Sequence, residues 1–168
     1  MIFRRREIDP RVAALIESHG RERLLGWGEL VDGTVVACTD WAIYLPEVGR
    51  VPWDAIVRGE WSEEFLDLLV QLKPGQKATH MRLRFEEPGL VPAVVRERVQ
   101  WTVVASQPTT LRRSDGVTGG VTFNARRSAE TGDVRWAVVF DPGIDVSDPR
   151  WRAAADEALA ELRSQLGI

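Results

Sequence analysis

The chain has 168 residues, of which 44% are apolar and 28% charged, and its formal net charge is −3. That length fits one globular domain or a domain with a packed extension, and the acidic balance argues against broad nucleic-acid affinity, which rests on a positive field. No run of about eighteen apolar residues is present, and Cys38 is the only cysteine, so a membrane-spanning helix, an intramolecular disulfide and a cysteine-based zinc cluster are not expected.

In chain order, Arg4, Arg5 and Arg6 are not followed by an apolar stretch, so a secretory leader is not expected and a cytoplasmic location is. Asp9 can cap a short helix, Pro10 opens it and Gly20 ends it, with Val12, Leu15, Ile16 and His19 on one face. Residues 23–31 and 34–39 read as a hairpin through Asp32 and Gly33. Trp41, Ile43 and Leu45 alternate along a third strand, and Pro52 allows only an edge or loop before 56–61 extends again.

Leu66, Leu68, Val70 and Leu72 alternate, residues 73–78 turn through Pro74 and Gly75, and Thr79, Met81, Leu83 and Phe85 alternate back. Pairing Leu72 with Thr79 sets Val70 opposite Met81, Leu68 opposite Leu83, Leu66 opposite Phe85, and Asp67 opposite Arg84 on the outer face. Residues 90–99 have helical spacing, 101–105 turn extended, and 107–118 form a polar loop. Val121, Phe123 and Ala125 then face Val134, Trp136, Val138 and Phe140 in a second hairpin joined through 128–133, with Ala125 opposite Trp136. Asp148 and Pro149 start a final helix ended by Gly167, whose stripe of Trp151, Ala154, Ala155, Ala158, Leu159, Leu162 and Leu166 lets its axis lie close to a sheet.

These elements specify an α+β protein: about eight or nine strands in a curved antiparallel sheet or barrel, a short N-terminal helix and a C-terminal helix. The expected organisation is one compact unit, 1–168, in two halves at 20–100 and 101–168. Thr39, Asp40, Ile43, Tyr44 and Leu45, followed by Val51, Pro52 and Ile56, carry a resemblance to the bacterial pleckstrin-homology-like and GRAM-like pattern over 22–61. The resemblance implies that 66–85 supplies the next two strands and that 90–99 closes the barrel. With the strand at 135–140 and the terminal helix, the chain also looks like a family of small actinobacterial proteins, which the twenty arginines against two lysines suit. Such barrels host lipid, peptide and protein contacts alike, so no activity is implied.

The residues place chemistry sparsely. Asp141, Asp145 and Asp148 could sketch a cation site, but they read first as turn and cap residues. His19 lies at a helix end and His80 points outward beside Arg82 and Arg84, so neither meets a nucleophile or further metal ligands. Gly116, Gly119 and Gly120 precede a strand rather than a helix, so they are not a phosphate loop. One arrangement is sharper: the second hairpin faces Arg126 with Arg135 on its outer side, with Arg127, Arg112 and Arg113 able to lie near. Like charges across a ladder repel, so an anion or an acidic partner could sit there, unless Glu130, Asp133 or a carboxylate of another element supplies the counter-charge.

No catalytic residue, metal or cofactor is expected. The reading is a non-catalytic interaction module whose strand edges accept a peptide, a partner protein or a second copy. The alternatives are a membrane-surface or phosphoryl-headgroup binder, resting on Arg4, Arg5 and Arg6 and the outer arginines, and a small enzyme using Asp, Glu and Arg, which would need a deep pocket holding a carboxylate of raised pKa.

Overall fold

The computed structural model describes residues 7–17, 19–73 and 76–168, so Arg4, Arg5, Arg6 and the Pro74 and Gly75 turn lie outside the described residues. Asp9 starts α1 (Pro10–Glu17) by accepting the Arg11 N–H at 2.8 Å. A helix this short needs a surface to hold it. Val12, Leu15 and Ile16 supply the contact, packing on Val35, Ala37, Ala42 and Tyr44.

Seven strands form one antiparallel sheet: β1 (Leu24–Leu30), β2 (Val35–Thr39), β3 (Ala42–Leu45), β4 (Gly49–Pro52), β5 (Ile56–Ser62), β6 (Phe65–Val70) and β7 (Thr79–Glu87). Their order is β4-β3-β2-β1-β7-β6-β5. The barrel expected from the sequence does not close. β4 and β5 remain its two edges, joined by the 3-10 turn Trp53–Ala55, and Pro52 at the end of β4 has no N–H to offer a neighbour. Trp53 is buried in the core with Ile43, Ile56, Leu66 and Leu68, and its indole N–H donates to the Thr39 carbonyl at 2.9 Å.

The helix after β7 is α2 (Val91–Thr102), with Val91, Val95 and Val99 buried four residues apart against that core. β1 admits its first turn through glycine: a Cβ at Gly26 would stand 2.9 Å from the Leu90 Cβ, and one at Gly28 2.7 Å from the Pro88 carbonyl oxygen. The helix runs on through Trp101 and Thr102, where an extended segment was expected, because the Thr102 hydroxyl donates to the Val99 carbonyl at 2.7 Å and finishes the last turn.

The β6–β7 register differs from the expected one by two residues. Val70 faces Thr79, Leu68 faces Met81, Leu66 faces Leu83 and Asp67 faces Arg82. A shift of two keeps every side chain on its own face, so Leu66, Leu68, Val70, Leu83 and Phe85 still enter the core. The cause is Gln71, which leaves the ladder. Its N–H goes to the Ala55 carbonyl at 2.8 Å and its side-chain Nε2 to the Gln76 carbonyl at 2.7 Å, lengthening the loop and leaving Leu72 exposed. On the outer face Asp67 meets His80 at 3.3 Å and Arg82 at 3.8 Å, while Arg84 pairs with Glu64 at 2.9 Å.

A second antiparallel sheet contains β8 (Val103–Arg112), β9 (Thr118–Arg127) and β10 (Val134–Phe140), in the order β10-β9-β8. The β9–β10 register is the expected one, with Ala125 opposite Trp136, Phe123 opposite Val138 and Arg126 opposite Arg135. β8 replaces much of the expected polar loop and brings the strand count among the described residues to ten. It is an edge strand exposed along most of its length, so no apolar alternation marks it in the sequence.

Asp148 caps α3 (Pro149–Leu166) by accepting the Arg150 N–H at 2.9 Å, and Gly167 ends it at φ 69°. Trp151, Ala154, Ala155, Ala158, Leu159 and Leu162 lie on Leu111, Val121, Phe123 and Trp136. Leu166, expected in the same stripe, is exposed, so Leu162 is the last residue of the stripe to reach the sheet. No described helix is long and apolar enough to cross a membrane.

Candidate functional site

One face of the small sheet is covered by α3; the other meets the large sheet, and the facing arginines sit there. Arg126 is 4% exposed, not outward as the strand pattern implied. Its Nη1 donates to the Val99 carbonyl at 3.1 Å and to Thr102 Oγ1 at 2.8 Å, and its Nη2 donates to the Val57 carbonyl. Val57 belongs to the irregularity between Ile56 and Arg58, and a bulge of this kind turns a backbone group out of the ladder. The Val99 carbonyl belongs to the last turn of α2, the negative end of the helix dipole, where a cation is favoured. Burial pulls the Arg126 pKa down and the Asp54 carboxylate works against that shift.

Arg135 lies beside it. Its Nη2 donates to the Gln71 carbonyl at 2.9 Å and the Leu72 carbonyl at 3.1 Å, and its Nη1 stands 3.5 Å from Asp54 Oδ2. Asp54, itself buried, is thus the counter-charge from another element; the carbonyls of Val57, Val99, Gln71 and Leu72 and the Thr102 hydroxyl accept from the two guanidinium groups, and Arg126 Nε is left buried without a partner among the described residues. The other three arginines lie elsewhere. Arg127 is exposed at the end of β9. Arg112 ends β8 and Arg113 follows it, at the far end of the same sheet, roughly 30 Å away at about 3.3 Å per residue. Arg113 bonds Asp115 and Asp148 and lies 5.1 Å from the centre of the Trp151 ring. The structure therefore joins Arg126 with Arg135 and separates both from Arg112 and Arg113.

The remaining candidates have structural partners. Asp145 Oδ1 accepts the Ser147 N–H at 3.0 Å and its hydroxyl at 2.6 Å, which holds the Asp145 carboxyl below its ordinary pKa. The Asp141 carboxylate lies so close over Gly120 that a Cβ there would collide with it. Among the described residues no group of three or more His, Cys, Asp or Glu could hold a metal ion. Cys38 is buried and its thiol pKa is pushed up by that burial.

What the sequence reading did not locate is a cleft of about 790 Å³ between β10, the loop after β6 and the first turns of α3. Leu69, Ala78, Val138, Phe140, Ile144 and Val146 give it apolar walls, and Lys77, Arg152, Asp141, Asp145 and Asp156 line it with both signs of charge. β10 presents backbone to it. The Asp141 N–H donates to the Gly120 carbonyl at 3.0 Å and the Ser128 N–H to the Asp133 carbonyl at 2.8 Å, so odd-numbered positions of β10 face β9. The N–H and C=O groups of Val138 and Phe140 consequently point away from β9, into the cleft.

The other edges are blunted. The Trp53 N–H donates to the Trp41 carbonyl, so Arg50 and Pro52 face outward from β4, and Pro52 has no hydrogen to give. On β8 the Arg113 N–H donates to the Val117 carbonyl, which puts Pro108 at an outward position. On β5 the Val57 carbonyl is held by Arg126. No protein-family model, curated protein or solved structure matches the chain.

Proposed function

We propose that the chain is a non-catalytic interaction module that takes an extended segment of a partner protein as an added strand on β10. The observation that carries this reading is the pair of outward backbone sets at Val138 and Phe140, opening onto a cleft with apolar walls, while β4 and β8 each carry a proline at an outward position. Strand addition draws affinity from main-chain hydrogen bonds and selectivity from side-chain pockets, and the cleft offers both. Seven antiparallel strands followed by a packed helix also support the pleckstrin-homology-like reading of the first half, a fold that carries peptide contacts among others.

The membrane-surface alternative has less support. Arg58, Arg82 and Arg84 on the outer face of β5, β6 and β7 stand beside Glu60, Asp67 and Glu64, so that face lacks the cationic excess anionic lipid requires.

The test is a random heptapeptide library displayed on phage, panned on the whole chain, with enriched peptides titrated against ¹⁵N-labelled protein. Saturable shifts centred on Val138 and Phe140 are expected. Val138→Pro removes an N–H that β9 does not use, and it should abolish binding while the chain stays folded. Peptides that bind Val138→Pro as well as the parent, or a library with no binder, would overturn the reading.

A further inference from the structure

Gln71 stands at the end of the β10 edge that the proposed partner strand would reach. Only 2% of it is exposed, and its backbone is held on both sides, the N–H by Ala55 and the carbonyl by Arg135. Its side chain bridges the two walls of the cleft: Nε2 donates to the Gln76 carbonyl at 2.7 Å and to the Val138 carbonyl at 3.4 Å. The first distance is that of a good hydrogen bond, and the second lies at the outer limit of one. Oε1 is buried with no donor.

We infer that the Gln71 carboxamide is a built-in stand-in for a partner's backbone amide, occupying the Val138 carbonyl until a docking strand displaces it. This rests on the strand-addition reading of β10. A carboxamide carries the same donor and acceptor as a peptide unit, so it is suited to filling one rung of a ladder. The Val138 carbonyl is the acceptor an incoming N–H needs, and the bond to be broken there is the weak one. The strong bond to Gln76 can persist, so the loop keeps its tether.

The fitting occupant is an uncharged extended segment of another protein, with no proline at the two residues that pair with Val138 and Phe140. Lys77 and Arg152 stand around the cleft with Asp141, Asp145 and Asp156, so a strongly charged segment of either sign meets a like charge.

The experiment uses the whole chain and the enriched heptapeptides. In the parent protein, the Gln71 side-chain NH₂ resonances should shift with the same saturation as the Val138 and Phe140 amides. Gln71→Met keeps the volume and removes the competing donor, so it should bind the same peptides about three- to tenfold more tightly. If Val138 and Phe140 titrate while the Gln71 NH₂ stays still, or if Gln71→Met binds equally or more weakly, the stand-in role is wrong and strand addition survives. If no heptapeptide titrates Val138 and Phe140, strand addition itself fails, and the stand-in with it.

Discussion

Arg126 is the residue on which the contact between the two sheets depends most. Replacing it with Met takes the Arg126 donor from the Val57 carbonyl and from Thr102 Oγ1, leaves the Val99 carbonyl with the Thr102 hydroxyl only, and leaves Arg135 as the cation beside buried Asp54 among the described residues. Removing one partner from such a buried set is worth about 3 kcal/mol, and urea unfolding of Arg126→Met should show a loss of that order with an unchanged slope. Arg135→Met, at a position 21% exposed against 4% for Arg126, should lose less than half as much. Equal losses would mean that Asp54, not the guanidinium fit, holds the joint. A second group of charges gives a pH dependence. Arg113 holds the Asp115 carboxyl down to about 2, and Arg150 lowers that of Asp148. Because both folded values lie below the ordinary 3.8, the stability they add is full above about pH 4 and is lost as pH falls toward 2. Thermal melts should be flat from pH 6 to 5 and decline below 4, and Asp115→Asn should shallow that decline. An identical acid limb in the variant would assign the loss to other carboxylates.

Among the elements, those with one buried face were readable from sequence and those without one were not. β9 and β10 alternate cleanly, and their pairing emerges in the expected register. β6 and β7 alternate as clearly, yet their offset is two residues from the expected one, because alternation specifies a face and is blind to even shifts. What decides the offset is Gln71, a polar residue whose bonds run to Ala55 and Gln76. β8 shows no pattern because solvent touches most of it. Its Pro108 guards an otherwise long edge, and Pro108→Thr restores an outward N–H. That variant should self-associate in light scattering at high concentration while the parent does not. A monomeric Pro108→Thr would show that the edge is protected by something other than proline.

Across the whole fold, the α+β class and the terminal helix on the second hairpin followed from period and capping alone. The open sheet and the cleft did not. The cleft is assembled from residues 69–78 and 138–156, far apart in the chain, and no local spacing marks their meeting. The facing arginines were visible as a pair, but their surroundings were not. Asp54, Thr102 and Val57 come from three separate elements, and their approach turns an apparent anion site into a joint. Arg50, which bonds both Glu22 and Glu130, adds another tie between the two sheets, so a single heat-absorption peak is expected on unfolding. Two resolved peaks would mean that the sheets unfold independently.

Residue-resolved amide hydrogen exchange along β10 bears most directly on the open edge. The inward Ala137 and Val139 amides should exchange slowly and the outward Val138 and Phe140 amides fast in the chain alone, with Val138 and Phe140 slowing when a saturating enriched heptapeptide is added. Slow exchange at Val138 and Phe140 without peptide, or fast exchange that the peptide leaves unchanged, would contradict strand addition at this edge.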